Sequence, residues 1–135
     1  MGLNLNNVSS AFLNDVAAAV LDAAIEVHRE MGPGLLESVY HQCLAAELEM
    51  RGMELRTLEP VALHYKGMSL DKSFVIDILV ENEVIVELKS VETILPVHEA
   101  QVISYLKLAN KRLGLLINFN APLLKHGVKR FVNGL

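Results

Sequence analysis

The chain has 135 residues, 52% hydrophobic and 21% charged, with a net charge of −4. That length accommodates one hydrophobic core and not two, so one domain over 1–135 is expected. The composition excludes a disordered chain, no run approaches the ~18 unbroken apolar residues of a membrane span, and the acidic balance is a handicap for a phosphate binder.

The start, "MGLNLNNVSSAFLNDVAAAV", has no basic region and Asp15 interrupts its apolar stretch, so it does not read as a signal peptide. Residues 1–13 are expected to form a flexible or loosely packed N-terminus. Val16, Val20, Ala23 and Val27 repeat at helical spacing, which predicts a helix over Asn14 to Glu30 with Asn14 or Asp15 as its cap. Its alanines allow a close neighbour, and a homodimer packed through this helix is one reading. Gly32-Pro33-Gly34 ends it, because proline cannot continue a helix and glycine takes the backbone angles of a sharp turn. A second helix follows over Leu36 to Met50, with Val39, Leu44 and Leu48 inward and Gly52 as its stop. The single cysteine, Cys43, cannot form an internal disulfide, which points to a reducing, cytoplasmic setting.

From Met53 the pattern turns to β-branched and aromatic residues broken by "YKGM" and "ENE". It predicts three antiparallel strands: Glu54–Tyr65, Leu70–Val80 and Val84–Ser90. After Pro96 the helical period returns through Val102, Leu106 and Ala109. "LGLLINF", Leu113 to Phe119, is a continuous apolar run suited to a buried strand, paired parallel to the strand before the helix. A last short strand is expected at Val128–Val132. The order is ααβββαβ, an α/β fold with a mixed sheet. From Pro96 onward lie Lys107, Lys111, Arg112, Lys125, Lys129 and Arg130 against one acid, Glu99, so a local basic face is conceivable in an acidic protein. A solvated surface without a partner accounts for it equally well.

The segment "IDILVENEVIVELKS" carries the chemistry. If Glu81-Asn82-Glu83 is a three-residue turn, Val80 pairs with Val84 and Asp77 stands opposite Glu87. Opposed side chains have Cβ atoms about 4.5–5.5 Å apart, where like charges repel. Lys89 falls on the face of Glu87, two residues along, with Ile85, Val75 and Leu79 flanking the group. Two such carboxylates either share a proton or hold a cation, and a hard divalent ion such as Mg²⁺ suits one or two carboxylates plus waters. In the simpler alternative, Lys89 bridges two acids at a sheet end. His28, His41, His64 and His126 form no zinc-type cluster. No glycine-rich phosphate loop or nucleophile elbow occurs.

An aspartate, then Glu-x-Lys on the adjacent strand, then a helix resembles the core of the PD-(D/E)XK nuclease superfamily: here Asp77, Glu87 and Lys89. "GLLESVY" supplies Gly34, Glu37 and Tyr40 in a GxxExxY pattern, and "QVISY" supplies Gln101 and Tyr105, similar to the QxxxY motif of RecB-type exonucleases. Residues 16 to 133 look like the small GxxExxY proteins almost from end to end. The resemblance implies a restriction-endonuclease-like core and a Mg²⁺-dependent hydrolase that cleaves nucleic-acid phosphodiester bonds, DNA or RNA, with no membrane partner. It implies that Asp77, Glu87 and the backbone carbonyl of Leu88 ligate Mg²⁺ or Mn²⁺, and that Lys89 positions the attacking water. Glu37 would be an outer ligand or orient a metal-bound water; a surface glutamate favoured by the helix dipole is the alternative. By the same analogy Gln101 and Tyr105 would hold substrate phosphate or a bound water. His98 shares their stripe at helical spacing, as a site residue or a structural one, and Tyr40 is a packing residue whose hydroxyl reaches the site edge. The competing reading is a catalytically silent nuclease-fold module that binds nucleic acid or a protein partner.

Overall fold

The first helix starts earlier than its apolar period suggests. Ser9 is its cap, its side-chain oxygen accepting from the Phe12 N–H at 3.0 Å, and α1 runs Ser10–Met31. Asn14 and Asp15 lie within it, exposed. The computed structural model describes residues 8–135, and there the expected loose N-terminus is corrected: Val8 packs against the core and Leu13 is fully buried. Residues 1–7 lie outside the described residues.

Gly32 closes α1 with φ +69, its N–H returning to the His28 carbonyl. Helix α2 (Glu37–Met50) ends at Gly52, φ +77, with the Met53 N–H on the Leu48 carbonyl. It buries Tyr40, Leu44 and Leu48; Val39, expected inward, is only half-buried. Ala17, Ala23 and Ala24 of α1 are buried in the core, so half of the alanines offered for a homodimer are already covered from within, while Ala11 and Ala18 are exposed and Ala19 is half-buried.

The strands are β1 (Leu55–Tyr65), β2 (Met68–Val80), β3 (Val84–Lys89), β4 (Leu113–Asn118) and β5 (Val128–Val132), with α3 (Pro96–Leu108) between β3 and β4. A 3-10 turn at Leu124–Gly127, which the apolar pattern does not announce, precedes β5. One sheet orders them β1-β2-β3-β4-β5, with β3–β4 parallel and the other pairs antiparallel. The β3-α3-β4 crossover lays α3 on one face over Ile76, Leu79, Ile85 and Leu116; α1 and α2 cover Ile78, Val80, Val84, Val86 and Leu88 on the other. The expected mixed sheet flanked by helices is therefore observed.

Two irregularities interrupt the sheet. Regular alternation would keep Ile76 and Ile78 on one face, yet they join opposite clusters, so the face pattern slips at Asp77. At the same level of β1, Leu58 adopts φ +50 between Thr57 and Glu59, whose partners are Ile78 and Ile76. In addition, β2 pairs with β3 only through Ile78–Val80, so the rest of the long β1–β2 hairpin overhangs the sheet with exposed Met68–Ser73. No helix among the described residues is long and apolar enough to cross a membrane.

Candidate active site

The turn at Glu81–Glu83 sets the register as the sequence implies: Val80 pairs with Val84, Leu79 with Ile85 and Ile78 with Val86. The next level would join Asp77 and Glu87 by backbone bonds. Side chains replace them: the Asp77 N–H donates to Glu87 Oε1 at 3.1 Å, and the Leu88 N–H donates to Asp77 Oδ2 at 2.9 Å. The two carboxylates are thus interleaved between the strands where the ladder ends. The predicted neighbourhood needs one correction. Glu87 and Lys89 alternate with Ile85 as expected, but the slip at Asp77 leaves Val75 exposed and puts Ile76 in the α3-side cluster instead.

Glu87 is 3% exposed. Burial first, and then the adjacent Asp77 carboxyl, push its pKa up to about 8, while Lys89 pulls weakly the other way. In the absence of a cation the pair therefore carries a proton at neutral pH. The donor set suits a hard cation: two carboxylates, each keeping oxygen lone pairs beyond its backbone bond, and the Leu88 carbonyl. The Lys89 carbonyl points to β4, where it accepts from the Phe119 N–H at 2.9 Å. Strand alternation then turns the Leu88 N–H and carbonyl toward β2, on the Asp77 side. Among the described residues no group of three or more His, Cys, Asp or Glu side chains is arranged to hold a metal ion, so such a site would rest on this pair and water.

Glu37 opens α2 and faces the same group. Partial burial raises its carboxyl pKa; Lys89 opposes the rise, Asp77 adds to it, and His41 and His98 oppose it. His41, one turn beyond Glu37, bonds through Nε2 to the Asp77 carbonyl at 2.9 Å. The sequence reading missed this role, although the i, i+4 spacing from Glu37 signals it. Tyr40 is the packing residue expected. Its ring is fully buried and stacked on Phe119, and its hydroxyl donates to the Gly32 carbonyl and accepts from the Leu35 N–H. It locks the Gly-Pro-Gly turn, its hydroxyl donating and accepting within that turn. That loop is tied to the end of β3 by Ser90 Oγ donating to the Leu35 carbonyl.

On α3, His98, Gln101 and Tyr105 line one open groove, as their spacing predicts. Gln101 Nε2 donates to the Tyr105 hydroxyl at 2.9 Å, and the Tyr105 ring stacks on Phe74 of β2. His98 spends Nδ1 on the Leu95 N–H at 3.0 Å, capping its own helix, so only Nε2 remains for other work. Asn118 was also missed. It lies level with Lys89 and is buried, receiving the Val91 and Asn120 N–H groups on Oδ1 and donating Nδ2 to the Val91 carbonyl. A polar residue closing an otherwise apolar strand was its signal.

This fold, with its carboxylate pair and lysine where β2 and β3 part, resembles a nuclease-type core. Residues 14–131 match the family model of the PD-(D/E)XK nuclease superfamily, and the chain belongs to that superfamily. Its mixed five-stranded sheet with three helices is the restriction-endonuclease-like fold of that group. Nuclease function and a nucleic-acid substrate are what membership suggests, and divalent metals are the usual cofactors of such enzymes. No curated protein and no solved structure matches the chain significantly.

Proposed function

We propose that the protein is a Mg²⁺- or Mn²⁺-dependent nuclease that hydrolyses nucleic-acid phosphodiester bonds, and that within the superfamily it falls in the GxxExxY group. One observation carries the reading: Asp77 and Glu87 interleave between β2 and β3. Asp77, Glu87 and the Leu88 carbonyl would hold the cation. When bound, it would supply the positive charge that acidifies water and offsets charge building on phosphate. Glu87 gives up its proton as the site fills. Lys89 orients the attacking water and stabilises the phosphoryl oxygens, Glu37 orients water from the far side, and Gln101 with Tyr105 holds the substrate strand. The motif glycine, Gly34, stands at φ +95, Glu37 faces Lys89 and Asp77, and Tyr40 locks the turn, which gives each GxxExxY position a job. A cytoplasmic setting accords with the free, half-buried Cys43 thiol.

The test is cleavage of plasmid, single-stranded DNA and RNA with Mg²⁺ and with Mn²⁺. Cleavage is expected, abolished by chelator and reduced roughly a hundredfold or more in Lys89→Ala. Activity persisting in both Asp77→Ala and Lys89→Ala would discard the site. An inactive wild type that still binds nucleic acid or protein would establish the silent module.

A further inference from the structure

A second cavity, of 340 Å³, opens beyond Lys89 at the same end of the sheet, lined among others by Glu92, Ile94, Asn120, Pro122, His126 and Lys129. Lys89 is level with Asn118 on β4, and Ile117 with Val128 on β5. The cavity floor, Asn118 and Gly127, therefore begins one strand from Lys89, a spacing of about 4.8 Å. The volume is that of a small-molecule site.

Its chemistry does not favour phosphate. Lys129 Nζ is tied to Glu99 at 2.7 Å, so that wall offers no free ammonium. Asn120 gives one Nδ2 hydrogen to the Val91 carbonyl at 3.2 Å, keeping the other N–H and Oδ1 for a ligand. No side-chain hydrogen bond to Glu92 or His126 occurs among the described residues. Ile94 and Pro122 add apolar surface on which a flat ring can lie. The cavity thus offers apolar walls, the Glu92 carboxylate as an acceptor and N–H donors on Asn120 and His126, which fits a planar ring bearing adjacent N–H groups and a carbonyl. It is also pre-formed: Asn118 fixes the Val91 backbone, and Gly127 packs so closely that a Cβ there would lie 2.4 Å from the Asn118 carbonyl oxygen.

We propose that this cavity binds an unpaired guanine of single-stranded nucleic acid whose scissile phosphate lies at Lys89, an inference that rests on the nuclease reading. Guanine alone among the common bases presents two adjacent donors, N1–H and N2–H, to a single carboxylate, here Glu92; His126 supplies an N–H for O6. The substrate is then a single strand, a loop or a frayed end, since a paired guanine has this edge occupied.

The experiment is calorimetric titration of the full chain, in chelator and without metal, with GMP, AMP, CMP and UMP, followed by competition with a single-stranded trinucleotide containing one guanine. GMP is expected to bind roughly tenfold or more tightly than the others, to lose about that factor in Glu92→Gln, and to be displaced by the trinucleotide. Equal binding of the four nucleotides, unchanged GMP affinity in Glu92→Gln, or failure of the trinucleotide to compete would each overturn the proposal. Nuclease activity without GMP binding would remove the cavity and leave the enzyme; GMP binding without cleavage would do the reverse.

Discussion

Glu87 is buried enough to reject charge, yet a metal ligand has to be ionised. Its folded pKa of about 8 lies above its ordinary value of 4.5, so the folded state holds a proton that the unfolded state has released. Stability of the metal-free protein should therefore be greatest below about pH 4.5 as far as this group is concerned, fall as pH rises toward 8, and level off beyond it, by on the order of a few kcal/mol in all. Thermal unfolding in chelator from pH 5 to 8.5 measures it. Asp77→Asn, which removes the adjacent charge and keeps an acceptor for the Leu88 N–H, should flatten that slope; an unchanged slope would mean that Asp77 does not govern Glu87. A divalent cation should stabilise wild type increasingly as pH rises and the variant much less.

Elements were the most legible scale. The pairing of Asp77 with Glu87 follows from a turn that can be counted in the sequence, and the Val128–Val132 strand and the parallel β3–β4 pair follow from pattern and topology. Local departures were not legible. The slip at Asp77 is invisible to an alternation rule that assumes a regular strand, and the Tyr40 hydroxyl finds the Gly32 carbonyl only once the glycine turn has folded back on α2. The Asn118 bonds likewise need the loop after β3 to pass beside β4. Here Gly127 is the sharpest probe. Gly127→Ala would put a methyl group 2.4 Å from the Asn118 carbonyl oxygen and 2.9 Å from the Ala121 Cβ, so the 3-10 turn must shift. A loss of about 1–3 kcal/mol in denaturant unfolding is expected, and wild-type stability in that variant would show the packing to be loose.

Across the molecule, the basic side chains are less free to reach a phosphate than the composition suggests, although from Pro96 onward only Lys129 is neutralised by an acid among the described residues. Of the six basic residues after Pro96, Lys111 is held by the Asn82 carbonyl, Arg112 by the Val8 carbonyl, Lys129 by Glu99 and Arg130 by Asn14. Among the described residues Lys107 and Lys125 have no such bond, and neither has Lys89 at the site. Binding to single strands should therefore weaken only modestly with salt, with a log–log slope of roughly −2 or shallower; a steep slope would reveal a phosphate track elsewhere. The overhanging β1–β2 hairpin has a different consequence. Two strands without a third neighbour are marginal in water, so the backbone amides of 60–74 should exchange with deuterium well before those of Ile78–Val80, on a protein whose centre is still closed. That difference, read by mass spectrometry, would mark a unit that opens alone, ending at the residue where the carboxylates begin.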